Sequence, residues 1–352
     1  MPLSSDTTPT DAAPRTKDTR VPPLFARETH LLGWQGLTLT IPENWNLGQF
    51  GGTHRKGQIR VDDEDGPRLE ISWEQPASGV DIARSVENLL QTLQRDAKKR
   101  KSRFVPEEKV RVVSKSRKRK NQLTSFGWTG EREDIAGQGW GVSWQCPDCG
   151  RVLVGHLIGR GRERPERVRE LAAQVLESLE CHGQGGWETW SVFDLRLEVP
   201  AEFKLDRARL VTGRLELEWI RPRLPGAMAW SKRDERLALA RFSLAASVLQ
   251  NESLEEWTNR VLRPLDKKRV YGKMSEVEVD GHAGVLAQGI LKDIRRRTLF
   301  YALDWMMRRA RPLTELRAWH CEPSNKLFSL RTELSSANEH IIGDVLDSLQ
   351  CH

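Results

Sequence analysis

Apolar and polar residues alternate through Leu37, Leu39 and Ile41, and the run stops at Pro42. A period of two puts alternate side chains on one face of a strand, and proline, which lacks a ladder donor, ends it. The pattern returns at Leu195, Leu197 and Val199, followed by Pro200 and the aromatic Phe203, where the first stretch has Trp45. Pro67 to Gln75 and Gly213 to Arg221 alternate in the same way, aligning Leu69 with Leu215, Ile71 with Leu217 and Trp73 with Trp219. The spacing then becomes helical. Val86, Leu89, Leu90 and Leu93 form one such stripe, Leu254, Trp257, Val261 and Leu262 another, and Ser253 with Glu256 has the form of a capping box. Strands resume beside Trp144 and Trp319, and each series closes on an amphipathic helix, through Val168, Leu171 and Ala172 or through Ile341 and Ile342. Pro165 suits a first helical turn, and Ser336 with Glu339 reads as another capping box.

The same anchors recur in the same order, and the two closing segments, Val175 to His182 and Val345 to His352, match best. This is the mark of an internal duplication. The reading gives an N-terminal tail over 1–28, one repeat over 29–182 and a second over 183–352, with the short joint Gly183 to Gly186 keeping the units in contact. Adjacent strands bounded by helices predict an antiparallel sheet, hence the α+β class. The copies differ in length: Arg214 to Ser253 spans 39 residues against 17 from Arg68 to Ser85. The added stretch, Asp234 to Ser247, suits helix or strand.

A strand ending in Pro and then an aromatic, a hairpin, an amphipathic helix, the Gly281–His282 turn and a meander closed by a helix ending in Ser-Leu resembles the Mog1/PsbP-like fold. The resemblance implies two tandem domains, each an antiparallel sheet flanked by helices in an αβα sandwich, in a family that mostly binds protein partners and has no shared active site. The first copy departs from it, with a basic run where the second has Gly281–His282.

Composition narrows the class. Apolar residues are 38% of the 352 and charged residues 30%, and no apolar run approaches the roughly 20 residues of a membrane helix. The first twenty residues lack the apolar core of a secretory signal, which predicts a disordered tail and residence in the cytoplasm. The formal net charge is +7. From Arg95 to Lys120 thirteen basic residues face three acidic ones, an excess larger than that of the whole chain. Lys98, Lys99, Arg100, Lys101, Lys115, Arg117, Lys118, Arg119 and Lys120 form a candidate phosphate-binding segment for nucleic acid, beside the plainer reading of solvated lysines at a turn and strand edge.

The five cysteines stand at 146, 149, 181, 321 and 351, all at the closing ends of the two repeats. If each closing helix returns across its sheet, Cys181 and His182 meet Cys146 and Cys149, a Cys-x2-Cys pair suited to tetrahedral zinc. The second copy has Ser324 in place of Cys149 but offers His320, Cys321, Cys351 and His352. Zinc held by four protein donors would be structural. Buried free thiols packing as small hydrophobes account for the same pattern, and a disulfide is disfavoured by a reducing compartment and an odd count. No nucleophile elbow, phosphate loop, dinucleotide fingerprint or zinc-protease motif occurs, so no catalytic residue is assigned. The expectation is a non-enzymatic scaffold for another protein, with nucleic-acid association as the alternative.

Overall fold

The computed structural model describes residues 28–77, 81–99, 101–107, 110–115, 123–130, 137–161, 163–183, 185–222, 234–295, 298–299, 302 and 312–351. The expected tail, apart from Glu28, lies outside them. Eighteen strands among these residues form three antiparallel sheets.

Each Leu-x-Leu-x-apolar-Pro run is the second strand of a hairpin. β1 (Thr29–Trp34) turns into β2 (Leu37–Pro42) through Gln35 and Gly36, both at positive φ, and β10 (Trp187–Val192) turns into β11 (Leu195–Pro200) through Phe193 and Asp194, also at positive φ. Two consecutive left-handed residues match the strand twist of a tight hairpin. The hairpins meet at β1 and β10 in a four-stranded sheet ordered β11-β10-β1-β2. Gly33 sits opposite Ser191 at that join, where an added Cβ would fall 2.6 Å from the Thr189 carbonyl oxygen, so the close approach requires glycine.

The other strands build two seven-stranded sheets. The first contains β3 (Asn46–Gly52), β4 (Lys56–Asp63), β5 (Gly66–Glu74), β6 (Phe104–Glu107), β7 (Thr124–Gly130), β8 (Gln138–Gln145) and β9 (Val152–Gly159), ordered β3-β4-β5-β9-β8-β7-β6. The second contains β12 (Lys204–Val211), β13 (Arg214–Arg221), β14 (Glu235–Ser243), β15 (Arg269–Val279), β16 (His282–Leu291), β17 (Pro312–Cys321) and β18 (Lys326–Ser335), ordered β12-β13-β14-β18-β17-β16-β15. The order is the same in both. It moves one alignment drawn from the sequence by a strand: β13 stands where β4 does, and β14, the stretch that suited helix or strand, stands where β5 does. Trp219 pairs with Leu237 as Val61 pairs with Leu69, so Trp219 occupies the place of Val61 rather than of Trp73.

Helices are few. α1 (Ile82–Lys99) buries only Val86, whereas α2 (Pro165–Glu177) packs Val168, Ala172, Val175 and Leu176 against β8 and β9. α3 (Leu254–Trp257) begins with the expected Ser253–Glu256 capping box and runs on through a π-helical turn, Thr258–Leu262. α4 (His340–Asp347) closes the chain. The Ser336–Glu339 box does not form, because Ser336–Asn338 is a 3-10 turn without a side-chain cap.

The helix-flanked αβα sandwich is therefore corrected to a mostly β protein. Period-two segments outnumber helical ones, the hairpins of the two halves leave their own sheets to pair with each other, and α1 is too exposed to form a full layer. The main core is continuous across that third sheet: Trp34 and Trp190 meet edge to face at 5.3 Å, and Trp190 meets Trp219 at 5.2 Å.

Candidate metal centre

Two serines set where the closing segments go. The Ser178 hydroxyl donates to the Val175 carbonyl at 2.7 Å and accepts from the Thr40 N–H at 2.9 Å. Ser348 repeats this with the Val345 carbonyl at 2.8 Å and the Glu198 N–H at 2.9 Å. Each ties the end of a closing helix to an opening hairpin. The next residues bridge that strand, Glu180 with Thr38 and Gln350 with Arg196, which delivers Cys181 and Cys351 to the sheet corners.

At the first corner the β8–β9 connection is a tight turn, with the Gly150 N–H bonded to the Cys146 carbonyl at 2.9 Å and the Cys146 N–H to the Arg151 carbonyl at 2.8 Å. Gly150 takes φ +73°, a conformation that glycine adopts without a Cβ penalty. The turn presents Cys146 and Cys149 on one side. One ligand atom each from Cys146, Cys149 and His182 lie within 4.8 Å of one another, and Cys181 Sγ is 3.4 Å from Cys149 Sγ. Helix α2 ends at Glu177, so Cys181 and His182 are off the helix and free of the 100° divergence that consecutive helical residues would have. The Gly183 carbonyl lies 3.2 Å from His182 Nδ1, and Asp148 Oδ2 lies 3.2 Å from Nε2. Three of the four expected donors form one group; Cys181 lies outside it and meets it only through Cys149.

The second corner uses a different set. His282, Cys321 and Cys351 each place a ligand atom within 4.8 Å of the others. His282 Nε2 is 3.3 Å and Asp280 Oδ2 3.7 Å from Cys351 Sγ. His320, expected as a ligand, is outside this group, and its Nε2 is buried without a hydrogen-bond partner. His352 lies outside the described residues. The cause is register: β16 pairs with β17 with Gly284 opposite Trp319, so two residues further on His282 is level with Cys321, while His320 points to the other face. Ser324, in the place of Cys149, has a buried hydroxyl with no partner. The Asp280–Gly281 turn, at φ +49° and +74°, holds Asp280 and His282 at this corner. The Asp-Gly-His segment is visible in the sequence, but only strand pairing connects it to the cysteines.

No disulfide joins any of the five cysteines. Cys149 and Cys181 share a proton: the hydrogen bond from Cys181 pulls Cys149 well below the ordinary thiol range, and the same bond together with burial pushes Cys181 up. Burial raises Cys146, and burial followed by the Cys321 contact pushes Cys351 up to about 12. Arg151, fully buried, helps to hold the Cys149 thiolate. Its guanidinium donates to the carbonyls of Gln35 at 2.9 Å, His54 at 3.3 Å and Cys181. Adjacent to it, Glu188 is 3% exposed and accepts from His54 Nε2 at 3.1 Å and Lys204 Nζ at 2.7 Å, joining a turn of the first half to a strand of the second. Burial acts to raise the Glu188 pKa, but the bonds from His54 and Lys204 outweigh it and hold the carboxyl below its usual range.

The chemistry open to these corners is metal ligation. Zinc–thiolate bonds of about 2.3 Å give a tetrahedral edge of roughly 3.8 Å, and zinc–imidazole bonds shorten it slightly. At each corner three such donors, thiols and an imidazole, lie within 4.8 Å of one another, a spacing compatible with a metal ion.

Of the basic segment, Lys98, Lys99, Lys101 and Lys115 are described and exposed, with Lys99 paired to Asp96 at 3.0 Å. Arg100, Arg117, Lys118, Arg119 and Lys120 lie outside the described residues. Among the described residues no helix is long and apolar enough to cross a membrane.

No protein-family model and no curated protein matches the chain. Among solved structures, the apo immunity protein TplEi of T6SS from Pseudomonas aeruginosa is 12% identical over 92% of this chain and 96% of that one, with a TM-score of 0.32. TplEi complexed with "L" peptide is 12% identical over 92% and 97%, with a TM-score of 0.30. Superposition at this level establishes neither a common fold nor a common role.

Proposed function

We propose that the chain is a non-enzymatic scaffold for a protein partner, built from two copies of one unit and stiffened at each closing corner by a structural zinc ion. The convergence of thiols and imidazole at the same place in both halves carries this reading. The donors are Cys146, Cys149, Cys181 and His182 in the first half and Asp280, His282, Cys321 and Cys351 in the second. Four protein donors leave no position for water or substrate, so the ion would staple segments distant in sequence rather than activate a reagent. The identical strand order of the two large sheets supports the duplication. The basic lysines at the end of α1 are not needed for this role.

The test is elemental analysis of full-length protein purified without a metal-binding tag. About two zinc equivalents per chain are expected, falling to about one in Cys149→Ser and in Cys321→Ser. Metal-free protein that keeps the thermal stability of the native sample would reject the staple, and a turnover activity lost on substitution of one polar pocket residue would reject the scaffold.

A further inference from the structure

The outer face of each large sheet, beside its first helix, holds a cavity at the same position. In the second half it measures about 230 Å³, walled by Leu262 at the end of the π-helical turn, by Leu265 in the α-helical turn that follows, and by strands β12 to β14 and β18. In the first half it measures about 170 Å³. Registers equate the linings. Gln49 and Arg207 each follow a bulge in the first strand, and His156 opposite Glu70 corresponds to Arg331 opposite Ala238. The first cavity thus has Gln49, Gln58, Ser72 and a buried His156 whose Nε2 lacks a hydrogen-bond partner and lies 3.7 Å from Glu70. The second has four arginines where the first has Arg60 alone, paired with Asp62 at 2.8 Å.

The second cavity's four arginines outnumber its carboxylates, Glu216, Glu218 and Asp266, by one, and the strand register sets Glu218 opposite Arg207 and Glu216 opposite Arg209. Arg214 pairs with Glu216, Glu218 is taken by Arg236 at 2.9 Å, and Asp266 is engaged by Arg331 at 3.6 Å and by the Tyr271 hydroxyl at 2.8 Å. Arg207 and Arg209 remain. They are exposed on one face of the edge strand β12, both line the cavity, and neither has an ion-pair partner among the described residues. Two guanidinium groups at a rim suit the planar, bidentate recognition of a carboxylate or phosphate. Beyond Glu218 and Glu216, Ala238, Ala240, Leu262, Leu265 and Leu316 supply apolar wall, and the volume falls short of the roughly 300 Å³ at which drug-sized sites begin. We infer that the second-half cavity binds a small organic anion, with its charged group on Arg207 and Arg209 and its apolar body against Leu262 and Leu265.

Phenyl phosphate, benzoate and inorganic phosphate are titrated into the full chain by calorimetry at low ionic strength. Saturable one-to-one binding of phenyl phosphate or benzoate, tighter than that of inorganic phosphate, is the expected result. Comparison of the two aromatic anions shows which head group is preferred. Affinity should fall at least tenfold in Arg207→Gln/Arg209→Gln with an unchanged circular dichroism spectrum, and stay the same in Arg164→Gln/Arg167→Gln, which removes two exposed charges from the first half. Absence of saturable binding by all three probes, unchanged affinity in the first variant, or equal losses in both variants overturns the assignment. The zinc reading is untouched by any of these results.

Discussion

Glu188→Gln removes a single charge at the junction of the two halves and leaves its shape. The carboxylate is almost fully buried and accepts two charge-assisted hydrogen bonds, from His54 at 3.1 Å and Lys204 at 2.7 Å. Hydrogen bonds to charged groups contribute about 1.5–3 kcal/mol and neutral ones about 0.5–1.5. Losing the charge therefore costs about 1 kcal/mol or slightly more per bond. The Lys204 side chain is 39% exposed and rehydrates, which keeps the sum near 2 kcal/mol at neutral pH. For a chain of this size that corresponds to a fall of about 3 °C in Tm. The loss should also depend on pH. The folded Glu188 pKa lies below its unfolded value of about 4.3, so the stabilisation is fully present above that value and fades as pH falls through the folded pKa. Urea unfolding of wild type and Glu188→Gln from pH 7 to pH 3 reads this directly: the curves should be separated at pH 7 and converge at the acid end. Equal stability at pH 7, or a gap that persists unchanged to pH 3, would refute the assignment of a charged, junction-stabilising carboxylate.

Other consequences are local. Ser178→Ala and Ser348→Ala each leave a partly buried N–H without its acceptor, at a cost of about 1–2 kcal/mol, and amide exchange should accelerate at Thr40 and Glu198 respectively. In metal-free protein at pH 7, Cys149 should be alkylated before Cys146, Cys181 and Cys351, since it alone of these has its thiol pKa lowered, and mass mapping of iodoacetamide adducts checks the order. Arg151→Met should slow that alkylation and destabilise the fold by removing the donor shared by three carbonyls.

Local pattern was sufficient for much of this. Strand-then-proline runs, the Ser253 capping box and the Pro165 helix start depend on neighbours within a few residues, and all formed. The convergence of Cys146, Cys149 and His182 was legible because the two closing segments match so well. What failed depends on pairing between distant strands. Two alternating segments with a tryptophan look alike in sequence, which aligns β13 with β5, whereas sheet order aligns it with β4. His320 beside Cys321 looked like a ligand pair, but successive strand residues face opposite ways, and the register supplies His282 instead. The third sheet was invisible for the same reason, since nothing local distinguishes a hairpin that pairs within its own half from one that pairs across the join.

The decisive measurement is X-ray absorption at the zinc edge on full-length protein as purified. Two corners with the proposed donors predict a tetrahedral average shell of about five sulfurs at roughly 2.3 Å for every three nitrogen or oxygen neighbours at roughly 2.0 Å, with sulfur lost when Cys149 or Cys321 is replaced by serine. A shell of nitrogen and oxygen alone, or protein that carries no zinc while remaining fully folded, would contradict the account.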